Sequence, residues 1–198
     1  MKLITHTELI SVGGIKESDD FLKAKQEINS AVSSVSWADP FEFIINPTRR
    51  GNGVVPIKNN FVHHLVHNDW KAEARMAIVK GLNPGPIDAV KVTDAGLIAV
   101  EWETGNISSS HRALNKIAVG ILQDQLIAGF LVLPHKVLAQ YLTDRIGNYE
   151  ELEPYFPLYS NLNIDFGHIE VIGVEHDRIS KSVILIPKGR DGNAKRSL

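Results

Sequence analysis

Between residues 19 and 35, Phe21, Leu22, Ala24, Ile28 and Val32 recur at helical spacing among charged positions, which predicts a helix that stops before Trp37 and Pro40. A short strand over 41–45 follows, and the Pro, Asn and Gly content of 47–53 predicts a loop. Helical spacing returns over 61–80, with Gly81 as a C-cap signal and Pro84 and Pro86 just beyond. The runs 87–92 and 97–104 flank Thr93-Asp94-Ala95-Gly96, the pattern of a hairpin. In an antiparallel pair, Asp88 near the start of one strand and Glu101 toward the end of the other are neighbours.

Residues 108–125 predict an amphipathic helix with Leu114, Ile117, Ala118, Ile121 and Leu122 on one face, and 127–133 an apolar strand. Strand, helix, strand in that order predicts a right-handed parallel crossover. A short helix over 135–142 and strands near 169–174 and 183–186 complete an α/β fold, a mixed β-sheet flanked by helices. No internal repeat or low-complexity tract interrupts it.

Composition sets the bounds. A chain of 198 residues, 43% hydrophobic and 22% charged, builds one substantial core, so a single domain over 1–198 is expected. Without cysteine, neither a disulfide framework nor a thiolate zinc site is possible. No segment approaches a membrane span, and residues 1–12 are too polar and broken for a signal sequence, so the expected location is the cytoplasm, with no membrane partner. The net charge of −2 argues against indiscriminate nucleic-acid binding, but Lys188, Arg190, Lys195 and Arg196 crowd into the last eleven residues as a basic arm over 188–198.

The segment with the most chemistry is Glu101-Trp102-Glu103-Thr104-Gly105-Asn106-Ile107-Ser108, a strand that carries two carboxylates and leads into a capped helix start. Strand periodicity puts Glu101 and Glu103 on one face, and the hairpin brings Asp88 beside them. Oxygen ligands so arranged suit a hard dication acting on a phosphodiester. Acidic residues two apart on a strand are otherwise an ordinary solvated face.

These residues carry a family resemblance. Gly85-Pro86-Ile87-Asp88, the segment from Glu101 through Ser109, His111-Arg112 and Asn115-Lys116 resemble the BamHI-type type II restriction endonucleases. So do Gly53-Val54-Val55-Pro56-Ile57-Lys58, Tyr141-Leu142-Thr143-Asp144-Arg145, residues 150–156, Leu185-Ile186-Pro187-Lys188-Gly189, Asp191-Gly192 and Lys195-Arg196-Ser197. The match is colinear from Gly53 onward, and the shortness of the chain resembles the smaller isoschizomer of the group.

The resemblance implies a PD-(D/E)XK restriction endonuclease-like core and a bacterial homodimer that uses Mg2+, two ions per active site. Asp88 would bridge the ions, with Glu101 and the Trp102 carbonyl on one and Glu73 on the other. Glu103 would stand where most of the superfamily has lysine and would position or deprotonate the attacking water. The expected substrate is double-stranded DNA at the palindrome GGATCC, cut after the first G to leave four-base 5′ overhangs.

Arg112 and Arg145 would read guanines, Asp144 cytosines, and Asn106 with Ser108 the inner A·T pair, in keeping with the major-groove code. Gly189 and Asp191 would contact DNA from the arm, which enters the minor groove in this family, and Asn193 stands where the resemblance breaks. The family's terminal helix is missing after Leu198, so the arm is expected to order on DNA without unfolding anything. Taken alone, Asp144-Arg145 reads as an exposed ion pair and Ser108 as a helix N-cap.

Two rival readings remain. One is a DNA-binding protein of the same fold that no longer cuts. The other is a metallohydrolase built on His63, His64 and His67, an i, i+4 arrangement that lacks the Glu of a zincin helix and otherwise reads as surface or packed histidine. Gly51-Asn52-Gly53 is too short to cradle a phosphate and reads as a turn.

Overall fold

The computed structural model describes residues 1–75, 85–143 and 145–188. The strands are β1 (Lys2–Val12), β2 (Ile44–Ile45), β3 (Lys71–Ala74), β4 (Ile87–Val92), β5 (Leu97–Trp102), β6 (Ala128–Pro134), β7 (Gly167–Glu175) and β8 (Arg178–Ile179). The helices are α1 (Asp19–Ser34), α2 (Val55–Val66), α3 (Ile107–Leu122), α4 (Lys136–Ala139), α5 (Tyr149–Leu152) and α6 (Phe156–Ser160). A six-stranded mixed sheet runs β1-β7-β6-β5-β4-β3, and β2 pairs separately with β8. The three central strands are parallel, and the strands outside them pair antiparallel.

Helices cover both faces of the sheet, so every residue of β6 is buried. Side-chain alternation divides the core in two. Ile98, Val100, Trp102, Phe130 and Val132 pack with Phe21 and Ile28 of α1 and Phe61 of α2. Ala99, Leu131 and Leu133 pack with Leu114, Ile117 and Ile121 of α3 and with Tyr149 and Phe156. The parity of β5 therefore turns Glu101 toward the α3 side.

The hairpin, the crossover helix and the buried strand lie where the periodicity predicts them, within a few residues. Elsewhere the expectations need correcting. The helix expected over 61–80 begins earlier, with Pro56 in its first turn, and stops at Val66. Asp69, at φ 63, turns the chain in the left-handed region, and Trp70 Nε1 donates to Glu27 Oε2 at 2.7 Å. Residues 71–74 then pair with β4, because satisfying that strand's open edge outweighs helical propensity.

Residues 1–12, unassigned from periodicity, form an edge strand against β7. Residues 183–186 form no strand. Instead the Ile186 N–H donates to Asn52 Oδ1, and its carbonyl accepts from the Gly53 N–H.

One close contact sets the position of α3. A Cβ on Gly129 of β6 would lie 2.1 Å from Ile117 Cγ2. Gly129→Ala should push the helix off the sheet and cost about 1–3 kcal/mol, the usual range for overpacking, read as a lower urea midpoint at unchanged slope.

Candidate active site

The site forms where β4 and β5 end side by side. Ala89 faces Val100, so one step further Asp88 faces Glu101. The two ends lock reciprocally: the Asp88 N–H donates to Glu101 Oε2 at 3.2 Å, and the Trp102 N–H donates to Asp88 Oδ2 at 2.8 Å. The Trp102 ring is buried 4.8 Å from Phe61, which fixes the end of β5 against α2. The Glu103 N–H continues onto the Val132 carbonyl at 2.8 Å.

Asp88, Glu101 and Glu103 line one cavity of about 500 Å3 together with Lys58, Arg112 and Lys116. Lys58 reaches in from α2, its Nζ 2.6 Å from Asp88 Oδ1. Lys116 of α3 pairs with Glu101 Oε1 and donates to the Pro86 carbonyl at 2.8 Å. Burial first, then the Asp88 charge, pushes Glu101 up to about 7, against the pull of Lys116. Burial also raises Glu103, with the Lys58 ammonium opposing it and Asp88 adding to it.

Carboxylates converging on one partly buried strand end supply oxygen donors of the kind that fit a hard dication. Among the described residues, no group of three or more His, Asp or Glu side chains by itself forms an ion cage. Glu73 lies on β3 between Ala72 and Ala74, whose partners Ala89 and Ile87 bracket Asp88. It is exposed, sits at φ 50, and is not among the residues lining the cavity.

Three of the expected base readers stand at the start of α3, beside the cavity. Asn106, and not Ser108, caps α3, its Oδ1 accepting from the Ser109 N–H at 3.0 Å. Asn106, Ser108 and Arg112 are exposed over the first two turns of α3, with Arg112 Nη2 3.4 Å from Ser109 Oγ.

Arg145, exposed at φ 66, lines a different groove together with Arg49, Arg50 and Lys136, although its loop is tied to the start of α3 where the Gly147 N–H donates to the Gly105 carbonyl at 2.8 Å. A Cβ on Gly147 would lie 2.8 Å from the Ile107 backbone, so the two loops touch main chain to main chain. Fully buried Asn52 ties this region to the root of the arm, donating to the Asn46 and Tyr141 carbonyls while accepting from Ile186. Asp144, Gly189 and Asp191 lie outside the described residues.

Sequence reasoning assigned no role to Lys58, Lys116 or Asn52, although Lys58 and Lys116 stand inside matched motifs. His63, His64 and His67 line a separate groove of about 410 Å3, where His67 Nδ1 bonds the His63 carbonyl at 2.8 Å.

The family model for restriction endonuclease BamHI matches residues 1–193. The chain belongs to the BamHI family of type II restriction endonucleases. It is 47% identical over 171 residues to the type II restriction enzyme OkrAI of Oceanobacter kriegii, covering 86% of this chain and 88% of that protein. It is 38% identical over 186 residues to the type II restriction enzyme BamHI of Bacillus amyloliquefaciens, covering 89% and 84%.

The crystal structure of BglII complexed with a DNA 16-mer matches with a TM-score of 0.61 at 13% identity, over 89% of this chain and 79% of that one. Free BglII matches at 0.53 and 12% identity, over 89% and 81%. Both show the restriction endonuclease-like fold. As a BamHI-family member the protein is a site-specific deoxyribonuclease, from a class of enzymes that generally uses divalent metal ions. Among the described residues, no helix is long and apolar enough to cross a membrane.

The raised Glu101 has a measurable consequence. Between about 4.5, where the unfolded carboxyl ionises, and about 7, the folded state holds a proton that the unfolded chain has released. Stability in chelator should therefore fall as pH rises through this window and then level off. At pH 8, Glu101→Gln should be more stable than the parent by up to ~3 kcal/mol, and at pH 4.5 the gain should vanish. Parallel melting profiles for the two proteins across that range would contradict the assignment.

Proposed function

We propose that the protein is a homodimeric, Mg2+-dependent endonuclease of the bacterial cytoplasm that cleaves GGATCC after the first G and leaves four-base 5′ overhangs. The observation that carries this reading is the convergence of Asp88, Glu101 and Glu103 in one cavity with Arg112 on its wall, beside exposed Asn106 and Ser108 at the start of α3. Arginine forks match guanine O6 and N7, a carboxylate matches the cytosine amino group, and asparagine matches adenine. That repertoire covers GGATCC when each subunit reads one half. Arg112 belongs both to the exposed start of α3 and to the cavity wall, which couples recognition to the site of cutting.

In this reading Asp88, Glu101 and the Trp102 carbonyl hold one Mg2+ ion, and Glu73 serves a second. Divalent ions there lower the pKa of an attacking water and offset charge on the phosphate oxygens. Glu103 orients that water and accepts its proton as oxygen adds to phosphorus and a phosphorus–oxygen ester bond breaks. Its raised proton affinity suits a general base better than that of an ordinary exposed glutamate. Asp144 reads cytosine beside Arg145, and Gly189 and Asp191 touch DNA from the basic arm over 188–198.

Incubation with Mg2+ and a plasmid bearing one GGATCC site should give linear product whose sequenced ends carry four-base 5′ extensions. Blunt ends would refute the dimer arrangement, and a shifted but uncut band would identify a binding protein.

Asp88→Ala and Glu101→Ala should abolish cutting while leaving binding to the site largely intact. Arg145→Ala should instead weaken binding to GGATCC by about 1–3 kcal/mol per lost contact, doubled in a symmetric dimer, with a smaller loss on scrambled duplex. Equal losses on both duplexes, measured by gel shift, would make Arg145 a phosphate or folding residue.

A further inference from the structure

With its carboxyls ionised, the wall of the active-site cavity is balanced in charge. Asp88, Glu101 and Glu103 face Lys58, Arg112 and Lys116, three carboxylates against three cations. A dication entering alone would leave two uncompensated positive charges in a partly buried site, whereas a dication entering with a phosphodiester would leave one. The two ammonium groups are held differently.

Lys116 is 9% exposed and anchored twice, to Glu101 and to the Pro86 carbonyl. Lys58 is 40% exposed and carries one ion pair, to Asp88 Oδ1. Since Asp88 Oδ2 is taken by the Trp102 N–H, Oδ1 is the oxygen available to an incoming ion, and Lys58 stands on it.

We infer that Lys58 is the resident counter-ion of Asp88, displaced by the divalent cation and handed over to the incoming phosphate, so that metal loading is coupled to DNA. This rests on the reading of Asp88 and Glu101 as ion-holding residues. Two further observations favour the handover. Helix α2 is fixed behind Lys58 by buried Ile57 and Phe61, so the ammonium moves by side-chain rotation alone. Glu103 also feels the Lys58 charge, and both side chains line the same cavity.

Coupling of this kind is reciprocal, and removing Lys58 relaxes it from the metal side. Calorimetric titration of Mg2+ into the DNA-free protein should show Lys58→Gln binding the ion about tenfold more tightly than the parent, with Lys58→Arg as weak as the parent. Lys58→Ala removes the same charge with a smaller side chain and should repeat the gain. Glu101→Gln in the Lys58→Gln background should abolish it, placing the ion in this cavity.

At saturating Mg2+, Lys58→Gln should cut at least a hundredfold more slowly, with part of the rate kept by Lys58→Arg. Unchanged or weaker Mg2+ affinity in both charge-removing variants overturns the displacement. An unchanged cutting rate at saturating Mg2+ overturns the handover. Failure of the parent to cut GGATCC would count against the proposed function alone, because the calorimetric comparison uses no DNA.

Discussion

The rest of the site depends on the way β4 and β5 end together. Where the ladder stops, the Asp88 and Trp102 N–H groups have lost their strand partners, and each is satisfied by a carboxylate from the opposite strand. This exchange satisfies two donors and forces two negative charges close together at the edge of the core. Burial keeps those charges out of water, which is why Glu101 holds its proton so far above the ordinary carboxylate range. A cation is the natural relief. In this structure Lys58 and Lys116 provide it from helices on either side of the sheet.

A second set of constraints holds α3 and the loop bearing Arg145 in place. Gly129 lets α3 sit close on β6, and Gly147 lets the loop bearing Arg145 lie against the start of α3. A side chain at either glycine would force these elements apart. Asn52 adds a buried polar hub with three different segments as its partners, the kind of fully satisfied network that holds loops in one arrangement. Arg112 then belongs both to the exposed start of α3 and to the cavity wall.

A different buried network holds the far side of the sheet. Burial alone would raise Glu170, but hydrogen bonds from His168, His6 and Lys25 outweigh it and hold the carboxyl well below its usual range. Its partners come from β1, α1 and β7 itself, so the charge fastens the edge strand and the first helix to the central sheet. Glu170 and Glu101 are both almost fully buried, yet they are displaced in opposite directions. The difference lies in their neighbours, since three hydrogen-bond donors converge on Glu170 whereas Glu101 has the Asp88 charge beside it.

Sequence alone determined what local periodicity and motif can carry. The hairpin 87–92/97–104, the helix after Asn106, the buried strand after Gln125 and the convergence of Asp88 with Glu101 were all legible, because each follows from side-chain spacing within one short segment or across one tight turn. The family was legible too, in colinear motifs around those same residues.

Tertiary structure alone decided the rest. Residues 71–74 became a strand because β4 offered an open edge, and residues 1–12 became one because β7 did. Lys58, Lys116 and Asn52 became visible as site or hub residues only when distant segments met, since a lysine in a helix or an asparagine in a turn carries no local sign of what it will face. Periodicity reports which side of an element is buried. Which charge will stand opposite is set by long-range packing, and that packing is what assembled the cavity.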